Sequence, residues 1–233
     1  MTAPKAVIFD LDGCLVDSEP LSLEAIASEM RAMGIADANA QEIGERFLGV
    51  AMPVIVDYIA TRGAGPVPAD FAERVEAGLL ARYKTDLRCM PGAQDLLRNL
   101  QSRDVAMAIA TGGSLSRMAG TLKIAGLAPW FDGTAFSAQE VTRGKPAPDL
   151  FNLALDRLQI QPADCVVLED SPHGIKGALA AGIPAIGFVG GSHLNATRDA
   201  HAALLRTAGA VDVFDDLREV MQFVLGAQTR GVT

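Results

Sequence analysis

Four short apolar runs punctuate the chain: Ala6-Val7-Ile8-Phe9, Val105 to Ala110, Cys165-Val166-Val167-Leu168 and Ala185-Ile186-Gly187-Phe188. Runs of this length without polar alternation are what strands buried on both faces require. The segments that follow keep a helical period. Ala93, Leu96, Leu97 and Leu100 recur at i, i+3, i+4 and i+7, and Ile175, Ala178, Leu179 and Gly182 repeat that spacing. Each set predicts a helix that lays one apolar stripe on a sheet. Strand and helix in alternation predict an α/β fold, a Rossmann-like parallel sheet flanked by helices.

One stretch breaks the alternation. From residue 19 to residue 84 the pattern is helical throughout, with stripes at Leu23, Ile26, Ala27, Met30 and Met33, at Met52, Ile55, Val56 and Ile59, and at Phe71, Val75 and Leu79. Gly63-Ala64-Gly65-Pro66 and Pro68 mark a turn within it. Roughly 65 residues is about twice a βαβ crossover, so the stretch reads as an inserted α-helical domain. The expected division is a core of 1–16 and 90–233 with the helical domain at 17–89. The last residues, 228–233, are expected to fray.

The carboxyl ends of the strands carry the chemistry. Asp10-Leu11-Asp12-Gly13 follows the first, Thr111-Gly112-Gly113 the second and Glu169-Asp170-Ser171 the third. Ligands of open parallel sheets bind beyond these ends, so the three loops should meet at one crevice. Four carboxylates there would repel one another unless they shared a cation, and all-oxygen donors select a hard ion such as Mg²⁺. Of the pair Asp10 and Asp12, one suits a nucleophile and the other a proton shuttle. Thr111 and the amides of Gly112 and Gly113, just ahead of a helix starting near Ser114, form an anion cradle. Lys145, fixed between Gly144 and Pro146, supplies a charge for an incoming anion.

Composition narrows the ligand. Lys plus Arg number 20 against 28 Asp plus Glu, a formal charge of -8. That sign disfavours nucleic acid as a partner. Cys14, Cys89 and Cys165 lack metal-site or disulfide spacing and suit a reducing compartment. With no signal pattern and no apolar run approaching the ~18 residues of a span, the expectation is a cytoplasmic protein, off the membrane, monomeric or weakly homo-oligomeric.

Phe9-Asp10-Leu11-Asp12-Gly13-Cys14-Leu15-Val16-Asp17-Ser18, Thr111-Gly112-Gly113, Gly144-Lys145-Pro146-Ala147-Pro148-Asp149 and Glu169-Asp170-Ser171-Pro172-His173-Gly174 resemble the four ordered motifs of the haloacid dehalogenase-like hydrolases. The likeness is greatest to the branch whose helical cap follows the first motif, which includes β-phosphoglucomutase and many sugar-phosphate phosphatases. It implies that Asp10 attacks phosphorus to form an aspartyl-phosphate and that Asp12 protonates the leaving oxygen and then activates water. Asp10, the backbone carbonyl of Asp12, and Asp170 would hold Mg²⁺, with Glu169 a ligand or a support behind the ligands. Thr111, the amide of Gly112, and Lys145 would bind the phosphoryl group.

The expected activity is Mg²⁺-dependent hydrolysis of a small phosphorylated metabolite, a sugar or sugar-acid phosphate. Asp12 argues against the dehalogenase and phosphonate-cleaving branches, which lack that acid. The alternative is a hexose-phosphate mutase, but the resemblance places a histidine where this chain has Ser22 and an arginine after a Gly-Val pair, where Gly49-Val50-Ala51-Met52 has none. A non-catalytic phospho-receiver, about half this length and without the insert, is remote. In the cap, Arg46 and Lys84 are candidate substrate contacts or solvated helix charges. Cys14 and Cys165 read as packing residues, His173 as a loop-shaping residue, His193 as a possible approach to the crevice and His201 as an exposed helix residue.

Overall fold

The computed structural model describes residues 4–47, 52–63 and 65–226. Gly49, Val50 and Ala51, and residues 228–233, on which two of the expectations above rest, lie outside them. The four apolar runs are strands, and two more join them. In chain order β1 (Ala6–Phe9), β2 (Ala106–Thr111), β3 (Ala135–Ser137), β4 (Cys165–Glu169), β5 (Ala185–Phe188) and β6 (Val213–Phe214) form one parallel sheet in the order β3-β2-β1-β4-β5-β6. Continuous burial along β1, β4 and β5 explains why their sequences lack alternation. The additional strands β3 and β6 are the two edges, three and two residues long. Segments so short carry no detectable period, and only pairing with β2 and β5 makes them strands.

From the centre the chain builds outward through β2 to β3, then returns to the other side of β1 for β4. The order therefore reverses between β1 and β4, where the carboxyl ends open a crevice. Ile8 pairs with Ala108 and Val167, and Phe9 with Ile109 and Leu168. The residue after Phe9, Asp10, is thus level with Ala110 and Glu169 at the ends of its neighbours.

The chain divides into two compact units, Met1–Asp17 with Arg88–Thr233, and Ser18–Leu87. In the second, α1 (Glu19–Ala32), α2 (Ala40–Phe47), α3 (Met52–Thr61) and α4 (Phe71–Asp86) bury Ile26, Met30, Ile43, Ile55, Ile59, Phe71 and Leu79. The predicted stripes account for α1, α3 and α4. Helix α2 has one buried apolar residue, Ile43, too few to register as a stripe. In the sheet unit α5 (Ala93–Gln101), α6 (Leu115–Ile124), α7 (Asp149–Leu158), α8 (Pro172–Ala180), α9 (Arg198–Ala208) and α10 (Leu217–Gly226) flank the strands.

Helix α5 buries Ala93, Leu96, Leu97 and Leu100 as its period predicts. Helix α8 corrects the other predicted stripe: Ile175 and Ala178 are buried, but Leu179 is exposed and Gly182 lies past the helix end at φ 78°. Gly174 and Gly177 occupy the buried face instead, which lets the helix approach Glu169 and Phe151. No helix among the described residues is long and apolar enough to cross a membrane.

Candidate active site

Asp10 is the first residue past β1 and is held there by its own amide, which donates to the Leu168 carbonyl at 2.9 Å. Its side chain is buried, and Lys145 Nζ lies 2.6 Å from Oδ1. The same ammonium donates to Glu169 Oε1 and sits 5.5 Å from the centroid of the Phe151 ring. Lys145 thus bridges the ends of β1 and β4 from a loop 135 residues after Asp10. Burial alone would lower the lysine, but Asp10 and Glu169 outweigh it and hold the ammonium charged. Burial pushes Asp10 up to about 8, reinforced by the charges of Glu169 and Asp12 and opposed by Lys145.

Glu169 faces Lys145 and the Ser171 amide, 3.2 Å away, and is completely buried. A Cβ at Gly174 would fall 1.9 Å from its Oε1, so glycine there makes the room in which this carboxylate lies. Asp170 is the next residue, the first past β4. A ligand atom from each of Asp10, Cys14 and Asp170 lies within 4.8 Å of the other two; Glu169 is outside that group. Gly13, at φ 77°, brings the first loop against Asp170: a Cβ would stand 1.9 Å from Asp170 Oδ2. No L side chain fits a left-handed turn with an oxygen at that distance.

The donor chemistry of this group fits a hard divalent cation. Its two carboxylates are anionic oxygen donors of the kind Mg²⁺ takes. Burial, with the charges of Asp170, Asp10 and Glu169, pushes the Cys14 thiol well above its ordinary range, so sulfur is not offered as a thiolate at neutral pH.

Asp12 points elsewhere. Its Oδ1 is 3.0 Å from Arg117 Nη2, and both side chains are mostly buried. Arg117 is an unpredicted member of the site, on the first turn of α6. That turn is fixed by Ser114, whose Oγ accepts from the Arg117 amide at 2.9 Å. Thr111 ends β2 almost wholly buried. The amide of Gly113, expected to be free for an anion, donates instead to Thr111 Oγ1 at 3.0 Å. The short side chain folds back on its own turn, as threonine does in loops. The Gly113 carbonyl accepts from Ser137 Oγ at 2.5 Å, so edge strand β3 anchors the turn.

Two histidines lie beside Asp170, one of them, His201, against expectation. His201 is half-buried on α9 rather than exposed, with Nε2 2.6 Å from the Asp170 carbonyl oxygen. His193 lies in the loop after β5, with Nε2 3.8 Å from Asp170 Oδ2 and its side chain 3% exposed. Burial pushes its imidazole down to about 4, against the pull of Asp17 and with the help of His201. An unfolded histidine takes its proton near 6.5 while this one resists to about 4, so the unfolded chain binds more protons between those values and stability falls as pH drops through them. The share of His193 in the change between about pH 7 and about pH 5 is a loss of roughly 2 kcal/mol. Urea unfolding at the two pH values checks it by difference, since Asp10 acts in the opposite direction in both proteins: on going to the lower pH, His193→Leu should come out about 2 kcal/mol better than the parent protein, and equal changes would be the contrary result.

In the helical unit, Arg46 and Arg62 lie over the Tyr58 ring at 5.5 and 5.6 Å. Tyr58 Oη donates to Glu42 at 2.5 Å, Arg62 donates to the same carboxylate at 2.9 Å, and Arg46 Nε is 3.5 Å from it. Lys84 is exposed on α4.

Residues 4–182 match the model of the haloacid dehalogenase-like hydrolase family. A phosphorylated carbohydrates phosphatase of Thermotoga maritima is 29% identical over 225 residues, covering 95% of this chain and all of that protein. Hexitol phosphatase A of Escherichia coli is 35% identical over 182 residues, 76% of this chain and 80% of its own. Among solved structures, a HAD family hydrolase from Deinococcus radiodurans with bound phosphate and sodium superposes at a TM-score of 0.78, 31% identical, with 98% of each chain covered. Fold and site define an enzyme of the Rossmann-like α/β class. The chain belongs to the haloacid dehalogenase-like hydrolase family.

Proposed function

We propose that the protein is a Mg²⁺-dependent phosphatase that hydrolyses the monoester of a small phosphorylated carbohydrate, a sugar or sugar-acid phosphate, through a phosphoryl group carried on Asp10. The observation that carries this reading is the buried Asp10 paired at 2.6 Å with Lys145 and grouped with Asp170 at the reversal point of the sheet. Relatives named as phosphatases of phosphorylated carbohydrates and of hexitols support the substrate class.

Lys145, the Thr111 hydroxyl and the Gly112 amide receive the phosphoryl oxygens at the rim, with Lys145 lessening the repulsion between the anion and Asp10. A carboxylate oxygen of Asp10 attacks phosphorus as the ester P–O bond breaks. Asp12 gives a proton to the departing sugar oxygen. Asp12 then takes a proton from water as that water attacks phosphorus, which releases orthophosphate and restores Asp10. Arg117 bonds to Asp12 Oδ1 and so orients the carboxyl group that makes both transfers. When bound by Asp10, Asp170 and the Asp12 carbonyl, Mg²⁺ would supply positive charge that favours ionised Asp10 and offsets charge on the phosphoryl oxygens. Glu169 acts through Lys145, by holding the ammonium beside Asp10.

Orthophosphate release from a panel of phosphorylated metabolites, with Mg²⁺ or with EDTA, tests the reading. Release from a hexose, hexitol or sugar-acid phosphate that EDTA abolishes is expected; no release from any ester in the presence of Mg²⁺ would overturn it. Conversion of a sugar 1-phosphate to the 6-phosphate without release would indicate a mutase.

Arg46 and Lys84 belong to this proposal as substrate contacts. Arg46→Ala is expected to raise KM about threefold with kcat nearly unchanged, the size of an exposed ionic contact worth under ~1 kcal/mol. Steady-state kinetics on the best substrate decide it, and an unaltered KM removes Arg46 from the site.

A further inference from the structure

We infer that His201 and His193 are positioning residues that together set the direction of the Asp170 carboxylate, and through it the affinity of the site for its divalent cation. The inference rests on the reading of Asp170 as a cation ligand.

The two rings reach the same residue from separate segments and act on different atoms of it. His201, on the first turn of α9, lies with Nε2 2.6 Å from the Asp170 carbonyl oxygen. A carbonyl only accepts, so Nε2 carries the proton and donates. Asp170 is the residue at which the chain leaves β4, one before Ser171, which caps α8. Holding its carbonyl orients the peptide plane between strand and helix, and with it the bond from which the carboxylate projects. His193 faces the carboxylate itself, with Nε2 3.8 Å from Oδ2.

The seat of His193 is shaped for a ring. A Cβ on Gly191 would lie 2.6 Å from its Cε1 and 2.7 Å from its Nδ1, and one on Gly13 would lie 3.5 Å from Cε1. Glycines on both sides thus let the imidazole lie between its own loop and the loop that carries the nucleophile. The Ser192 amide donates to Asp17 Oδ1 at 3.1 Å, which ties the histidine loop to the first motif. Nδ1 is buried without a hydrogen-bond partner among the described residues. Leaving a buried nitrogen unsatisfied is destabilising, which an apolar side chain in this seat would avoid. Packing therefore does not explain a histidine here, whereas an imidazole facing a ligand carboxylate does. Partners behind the ligands commonly change metal affinity by about 10–100-fold when removed.

Titrating the full-length protein with Mg²⁺ alone, by calorimetry without substrate, tests this. His201→Ala should weaken Mg²⁺ binding about tenfold. His201→Gln, whose side-chain amide nitrogen can donate as Nε2 does, should restore most of it. His193→Leu should weaken it by a smaller factor. With Mg²⁺ saturating, KM for the sugar phosphate should be unchanged in all three. Thermal melts in EDTA establish that each variant is folded, and His193→Leu and His201→Gln keep the test open should His201→Ala not fold. Mg²⁺ affinity equal to the parent's in the folded alanine and leucine variants would overturn the inference and leave the proposed function standing. A parent protein that binds no Mg²⁺ would overturn both.

Discussion

Asp10→Asn is expected to fold, to melt no lower than the parent protein and to lose at least about a thousandfold in turnover, because an amide cannot make the attack on phosphorus. The two halves of this result have one cause. Asp10 is buried beside Glu169 and Asp12, and that environment pushes it up to about 8 despite Lys145. The folded protein therefore binds a proton here that the unfolded chain has released above the ordinary carboxylate range. What Asp10 contributes to stability is fully present only at acid pH and is lost as pH rises towards about 8. Asparagine keeps the shape and carries no charge, so in EDTA its melting temperature relative to the parent's should climb from about pH 4 to about pH 8. Thermal melts over that range and orthophosphate release check the two halves. Retained hydrolysis would remove Asp10 as the nucleophile, and a variant that melts well below the parent at about pH 8 would show that the charge is stabilising there.

Lys145→Ala is the second large effect, and it should be costly in both respects. The ammonium is the shared partner of two buried carboxylates, Asp10 at 2.6 Å and Glu169. Removing one side of a buried ion pair usually costs about 3–5 kcal/mol, because the charges left behind are neither paired nor hydrated. Glu169 is the more exposed to this loss in energetic terms, since its carboxylate is fully enclosed and retains the Ser171 amide at 3.2 Å. Adding Glu169→Gln to Lys145→Ala should therefore recover a good part of the stability while phosphatase activity stays absent, since the cation that meets the phosphoryl group is still missing. Urea unfolding of the two single variants and the double variant measures the coupling. Additive losses would show that Lys145 and Glu169 do not act as a pair.

Both results depend on features of unequal legibility. The strands β1, β2, β4 and β5 were readable because burial on both faces leaves a continuous apolar run. Edge strands β3 and β6 were not, since two or three residues have no period of their own. Helix α8 misled for a related reason: its closest packing is made by Gly174 and Gly177, and a face built from glycines has no hydrophobic signature. The residues at strand ends, Asp10, Asp12, Thr111, Glu169 and Asp170, were legible as candidates because parallel topology puts such ends at one rim. Lys145 was legible from the rigid loop around it.

Arg117, His201 and Ser137 were outside that reach. Each sits in a helix or at a strand end, and its neighbours along the chain mark at most the start of a helix, not the contact it makes across the fold. The cue available for Arg117 was its place three residues after the Ser114 cap, enough to predict a helix start but not a contact with Asp12.

The amino-acid order by itself determined a Rossmann-like α/β protein with a long helical insertion and a set of carboxylates at strand ends, because buried strands and amphipathic helices are written in local periodicity. Only the tertiary structure decided how the charges divide: Lys145 between Asp10 and Glu169, Arg117 on Asp12, two histidines on Asp170. Pairing of buried charges depends on distances across the sheet, between residues as many as 135 positions apart, and no local pattern encodes such a distance.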